Sequence, residues 1–165
     1  MSRANSVAAR KRRRQRGAIR LTAYQPEYEE LARAWLTSDQ EDGGGEGWDK
    51  WIHGDWQYRW VVMRGDVPVG LAQAAILPPE AVPKGSQTAA PVCEIGYLTG
   101  PGYRGQHIAT DTVALLPRQP ELRHVKTWLA AVRTDNLASV KVLERSGFRY
   151  TGASLKPGYM GYIRP

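Results

Sequence analysis

The chain has 165 residues, 42% of them hydrophobic, and a formal net charge of +7, which fits one folded domain with a core of its own. No apolar run approaches the roughly 20 residues of a membrane-spanning helix, and the single cysteine, Cys93, excludes an internal disulfide framework. The charge is unevenly placed: residues 1–20 carry eight cations and no acid, while the rest carries 15 cations against 16 acids, a net of −1.

Residues 1–17 are expected to form a disordered basic tail, because like charges repel and too few apolar groups are present to repay ordering. Residues 18–165 are expected to form the single domain. The run Lys11 to Arg14 suits weak contact with nucleic-acid phosphates, although a solvated tail is the favoured reading. No apolar segment follows it, so it is not a secretory signal. With one cysteine the chain fits a cytoplasmic setting, as a monomer or homodimer with no membrane contact.

The first strand is expected over residues 18–23. A helix follows from Gln25-Pro26, with proline at its first turn and Glu27, Glu29 and Glu30 favoured by the helix dipole. Tyr28, Leu31, Ala32 and Trp35 give that helix its apolar face. Residues 38–47 are acidic and glycine-rich, without the ligand spacing of a calcium loop. Trp48 and Trp51 then share a face at i, i+3. They read as a short packing helix or, with Asp55, as an aromatic and acidic rim for a cationic substrate.

Residues 58–63 and 67–77 are expected to pair as a hairpin around Arg64-Gly65-Asp66. A long loop over residues 78–90 leads to a strand at 92–99, where Cys93 reads as a small buried residue. Gly100-Pro101-Gly102 breaks the chain, and a helix is expected from Arg104 to Leu116, ended by Pro117. A strand at 125–132 precedes a helix with Asp135 as N-cap and Gly147 as its stop. Strands at 148–153 and 159–163 close the chain around Lys156-Pro157-Gly158.

A strand, a glycine-rich turn and a helix start make an anion site: the first N–H groups of the helix lack internal partners, and the dipole favours negative charge. The turn matches G-x-G-x-x-G, the dinucleotide fingerprint, but too little chain remains after it for the βα units of such a fold. No second cysteine or tight histidine cluster points to zinc or another metal.

The stretch Tyr103-Arg-Gly-Gln-His-Ile-Ala-Thr110 resembles the acyl-CoA pyrophosphate loop of the GNAT superfamily of N-acetyltransferases. Glu94-Ile-Gly-Tyr97 before it and Asn136-Leu-Ala-Ser-Val-Lys-Val-Leu-Glu-Arg-Ser-Gly-Phe148 after it are similar to the same superfamily. The nearest flavour is the branch that acetylates ribosomal-protein N-termini and some antibiotics. The resemblance implies an α/β (α+β) fold: a mixed, mainly antiparallel sheet of six to seven strands flanked by helices and splayed between the fourth and fifth strands. It implies acetyl-CoA as co-substrate, no metal, and direct acetyl transfer to a primary amine of a protein N-terminus, an antibiotic or a small metabolite. A non-catalytic CoA-binding or RNA-associated module is the alternative.

Cofactor contact is then expected from Arg104, Gly105, Gln106, His107, Ile108 and Ala109, with His107 standing where the superfamily has its first glycine. Tyr97, Leu98 and Thr99 would meet the pantetheine arm, with the Leu98 N–H as the oxyanion donor. Asn136 and Ser139 would face that arm, with Leu143 one turn further on. Glu94 is the candidate base, since alternation sets Glu94, Gly96 and Leu98 on one face. It lies about 13 Å along the strand from Leu98, so a water would carry the proton. A structural ion pair with Lys126 or Arg133 is its competing role. Leu143 stands where many relatives have a tyrosine acid, which leaves Ser139, another tyrosine such as Tyr159, or water to assist the leaving thiolate. Trp48, Trp51, Asp55 and Glu94 are the expected acceptor contacts.

Overall fold

The computed structural model describes residues 17–42, 47–83, 89–153 and 157–165. The strands are β1 (Ile19–Ala23), β2 (Tyr58–Arg64), β3 (Val67–Ile76), β4 (Val92–Thr99), β5 (Thr127–Arg133), β6 (Arg149–Ala153) and β7 (Tyr159–Arg164). The helices are α1 (Glu29–Glu41), α2 (Gly47–His53), α3 (Ile108–Leu115) and α4 (Leu137–Arg145). The expected tail falls on residues outside those described, apart from Gly17.

One seven-stranded sheet runs β1-β2-β3-β4-β5-β7-β6. Every neighbouring pair is antiparallel except β4 and β5, which run parallel. That parallel pairing is short: Val92, Cys93 and Glu94 face Thr127, Trp128 and Leu129, and there it stops. The last five residues of β4 and the last four of β5 diverge, which is the expected splay. It opens because each strand follows a different partner: β4 stays in register with β3 to Thr99, and β5 stays with β7 to Arg133.

Alternating side chains send apolar groups to both faces of β2 to β4. One face packs Trp60, Val62, Ala72, Ala74, Cys93 and Ile95 against Ile108 and Val113 of α3 and Leu143 of α4. The other packs Val61, Met63 and Leu71 against Ala32 and Leu36 of α1 and Trp51 of α2. A strand covered on both faces needs a near-continuous apolar run, and Trp60-Val-Val-Met63 is buried throughout. Burying Cys93 completely pushes its thiol up to about 12, so it is packing and not a nucleophile.

Local chemistry sets the helix ends. Pro26–Tyr28 forms a tight turn before α1 begins at Glu29, three residues later than the prolyl start implies. Gly147, at φ +86°, closes α4: its N–H donates to the Glu144 carbonyl at 3.1 Å and Phe148 N–H to Leu143 at 3.0 Å. The N-cap of α4 is Asn136, not Asp135. The Asn136 Oδ1 accepts from the Ser139 N–H at 3.1 Å, while Asp135 turns back to the Arg133 guanidinium at 3.2 Å.

Candidate active site

A cleft of about 690 Å³ follows the splay, walled by β4 and β5, by α1 and α2 on one side and by the start of α3 and α4 on the other. Its volume suits a cofactor-sized ligand.

The backbone of β4 decides what the cleft offers. Val92 C=O accepts from Leu77 N–H at 2.8 Å, and Gly100 N–H donates to Val69 C=O at 2.8 Å, so even-numbered residues turn their backbone groups toward β3. Pro91 C=O accepts from Lys126 N–H at 2.9 Å, so odd-numbered residues turn theirs toward β5. The register along β3 is unbroken, and the alternation therefore holds to the end of the strand. It follows that the Leu98 N–H bonds within the β3 ladder and cannot serve as an oxyanion donor. The groups freed by the splay are the Ile95 carbonyl and the backbone groups of Tyr97 and Thr99, because the Glu94–Leu129 pairing still spends the Ile95 N–H on β5. Side-chain alternation, which the sequence displays, says nothing about which ladder edge is left open.

The turn after β4 is built for anions, though by a different route from the expected helix start at Arg104. Pro101–Tyr103 forms a 3-10 turn, Gly105 and His107 both take left-handed backbone at φ +75° and +64°, and α3 begins only at Ile108. A helix cannot run through two left-handed residues. The first bond of α3 is Asp111 N–H to His107 C=O at 3.0 Å. That leaves the N–H groups of Ile108, Ala109 and Thr110 without helical partners at the positive end of the dipole. The Ile108 side chain is buried in the core, so it contributes its amide alone. Gln106 is held by the Arg64 Nη1, which donates to its Oε1 at 2.8 Å. Arg104 donates to Asp42 Oδ2 at 3.4 Å, with both side chains about half exposed, a pairing too weak to withhold it from a phosphate.

His107 explains the glycine it replaces. The left-handed position costs a side-chain-bearing residue about 1–2 kcal/mol, although histidine tolerates it better than most. The ring is exposed. His107→Gly should therefore raise thermal stability by about 1 kcal/mol, read as a higher Tm in a calorimetric scan; an unchanged Tm would show that the loop carries no strain there.

Glu94 lies on the cleft face between α2 and the splay, together with Gly96 and Leu98. Burial pushes its carboxyl above the ordinary value, with no neighbouring charge contributing. Among the described residues, no ion pair or hydrogen bond engages that carboxylate, and Arg133 is occupied by Asp135. The structural-pair role is thus not the one it plays. An unpaired carboxylate with a raised pKa in a cleft is suited to taking a proton.

On the opposite wall Tyr97 points toward α4, its hydroxyl donating to the Ser139 carbonyl at 3.4 Å. Burial raises that phenol to about 12, so it stays protonated. Ser139 and Asn136 both line the cleft, with the Asn136 Oδ1 spent on the cap. Leu143 does not line it: the side chain is fully buried against the sheet. Val142 faces the cleft in its place, because a helical turn of 3.6 residues carries position 143 past the opening.

Three of the four residues expected to contact an acceptor are placed otherwise than a rim would require. Trp48 and Asp55 stand outside the cleft lining; Trp48 stacks on Trp51 at 5.9 Å with the Arg33 guanidinium over its ring. Trp51 is only 3% exposed and meets Tyr24 edge-on at 4.7 Å, so it forms the floor and not a rim. Trp56, Lys50, Asp39 and Gln73 line the cleft instead. Trp56 belongs to the same aromatic and acidic segment as Trp48 and Trp51; for Gln73, on the second strand of the hairpin, only the pairing register reveals its place.

Comparison with known proteins agrees with this architecture. A family model described as "Acetyltransferase (GNAT) domain" matches residues 7–149. A comparison with curated protein sequences returns no match. Among solved structures, the aminoglycoside acetyltransferase AAC(6')-Ib in complex with coenzyme A superposes at TM-score 0.68 with 17% identity, covering 89% of this chain and 94% of that one. The aminoglycoside N(6')acetyltransferase of Legionella pneumophila gives 0.68 at 12% identity, over 89% and 91%. The GNAT domain of PAT from S. lividans gives 0.67 at 15% identity, over 88% of each chain. At these identities the likeness is one of fold.

Proposed function

The chain belongs to the GNAT acetyltransferase family, and on that premise we propose that it transfers an acetyl group from acetyl-CoA to a primary amine by direct attack. The observation that carries the reading is the coincidence, in one cleft, of freed Tyr97 and Thr99 backbone groups, three unpartnered amides at the start of α3, and the unpaired Glu94 carboxylate. The amides of Ile108, Ala109 and Thr110, with the left-handed turn before them and Arg104 beside them, form a donor set suited to the diphosphate of CoA. Ile95, Tyr97 and Thr99 would extend the β4 ladder to the pantetheine amides.

Chemistry follows from that placement. The amine nitrogen attacks the thioester carbon, and the carbonyl oxygen gains charge that an N–H of Tyr97 or Thr99 stabilises; preorganised donors of this kind are usually the largest catalytic contribution. The C–S bond breaks, and the thiolate leaves beside the Ser139 hydroxyl. The ammonium proton passes to Glu94. Acids on the α1 side, Asp39 and Asp42, favour a cationic acceptor. A protein N-terminus, an antibiotic amine and a small-metabolite amine all fit this description, and the soluble partner is taken to be one of them.

Thiol release from acetyl-CoA, followed with kanamycin, spermidine and an alanine-terminated peptide as acceptors, tests the reading. Amine-dependent release is expected. Acetyl-CoA binding without release for any acceptor would favour a non-catalytic CoA-binding module.

A further inference from the structure

Glu94 and the freed N–H groups lie too far apart for a carboxylate to touch an amine poised at the thioester. Tyr97 and Thr99 are three and five residues along β4, which at about 3.3 Å per residue is roughly 10–16 Å. Gln73 stands within this gap. It pairs with Gly96 across the β3–β4 ladder, so its side chain emerges on the same face as Glu94. Gly96 has no side chain, and Gln73 lies over it: a Cβ built on Gly96 would fall 2.7 Å from the Gln73 Nε2 and 2.9 Å from its Cγ. The Gln73 Oε1 is buried and, among the described residues, has no hydrogen-bond partner; rotation about the soft terminal torsion of glutamine turns it toward the cleft. A buried polar atom without a partner points to a group not yet seen.

We propose that Gln73 is a positioning residue whose side-chain amide holds the water that carries the acceptor's proton to Glu94. This rests on the acetyl-transfer reading of the same cleft. Gly96 lies two residues from Glu94, about 7 Å along the strand. One water donating one hydrogen to the Gln73 Oε1 and the other to a Glu94 oxygen spans two hydrogen bonds of about 2.8 Å each, the two flexible side chains cover the remainder, and a lone pair is left to accept from the ammonium. The proton balance is simple: the ammonium N–H gives its proton to the water oxygen, and the water gives one of its own to a Glu94 oxygen. The water is regenerated and Glu94 leaves the cycle protonated until solvent reclaims the proton. Other charged groups line the cleft, namely Asp39 of α1 and Asp42 just beyond its end, Lys50 of α2, Arg104 ahead of α3, Arg133 of β5 with Asp135 after it, and Lys141 and Arg145 of α4, but burial alone displaces Glu94. They therefore do not compete with Gln73 for control of that carboxyl.

The test has an arm that needs no acceptor. In protein labelled with carbon-13 glutamate, the Glu94 carboxyl is identified by its loss in Glu94→Gln and titrated in wild type, Gln73→Met and Gly96→Ala. Gln73→Met keeps the length and the packing but removes the hydrogen bonds. Gly96→Ala keeps the amide and pushes it aside: the added Cβ would fall within 3.0 Å of both the Gln73 Nε2 and its Cγ, so the side chain must shift as a whole. Both variants should titrate Glu94 at higher pH than wild type, since the carboxylate loses a solvating water. With the best acceptor of the panel, both should lower kcat at least tenfold while KM for acetyl-CoA holds. An unchanged Glu94 titration overturns the proposal, as does a shifted titration with unchanged kcat. Absence of thiol release in wild type would sink the acetyl-transfer reading separately, and the titration would still decide the water.

Discussion

Replacing Glu94 with glutamine should lower kcat by about 10²- to 10⁴-fold, the usual contribution of a positioned base, and leave KM for acetyl-CoA nearly unchanged. The split follows from geometry. Glu94 lies in the first half of β4, which the proposed reading gives to the acceptor, whereas the amides of residues 108–110 and Arg104 lie beyond the end of that strand. In wild type, turnover should rise with pH as the carboxyl ionises, at a pH above the ordinary glutamate range because burial raises it. Glu94→Gln should lose that limb. Stability should move the opposite way. A carboxyl whose folded-state pKa exceeds its unfolded value binds more protons in the folded state. Its favourable contribution is complete below the unfolded pKa and is lost as pH rises through the folded one. At neutral pH the wild type therefore carries a half-buried charge without a partner, and Glu94→Gln should melt higher. At acid pH, where both side chains are neutral, the two should melt alike. Parallel kcat–pH curves and melts at pH 4 and pH 7.5 check both signs; a variant that is inactive and also less stable at neutral pH would mean that Glu94 holds the fold and does not act as a base.

The second large effect is expected from Leu143→Ala, at about 2–5 kcal/mol of stability. Leu143 is fully buried where α4 meets the sheet, in the cluster that includes Ile108 and Phe148, and α4 also supplies the Asn136 cap and Ser139. For a domain of this size, each kcal/mol is worth roughly 2–4 °C in Tm, so a denaturation midpoint reads the loss directly. Activity per folded molecule should persist at temperatures where the variant is folded, because Leu143 does not reach the cleft. A drop in kcat without a drop in Tm would place this side chain at the thioester after all. Leu143→Tyr forms the complementary control: the bulkier ring would strain the core and supply no acid.

Several parts of the molecule were readable from the chain itself. The strand over residues 92–99 coincides with β4, because Ile, Tyr, Leu and Thr there are bounded by a Gly-Pro-Gly break. Gly147 ends α4 as its position implied, since few other residues take φ +86° without strain. The opening between β4 and β5 was foreseen from the resemblance, and seven strands stand where six to seven were expected. The helix α3 starts four residues later than its periodicity implies. Helical periodicity does not register a left-handed residue, and His107 conceals one where glycine would have announced it.

The order of the elements, the alternation that sets Glu94 on the cleft face, and the glycine-rich turn ahead of a helix are written in the chain. Those properties are local: each depends on a residue and its neighbours within a turn or a few positions along a strand. Long-range pairing sets that Leu98 spends its amide on β3 while Tyr97 and Thr99 are released. Tertiary packing makes Trp51 floor and Leu143 core, and lays Gln73 over Gly96. Those outcomes depend on the register between strands distant in sequence, and on which face of a helix meets the sheet. Pairing and docking select among alternatives that are locally equivalent, so no pattern within a single segment could have distinguished them.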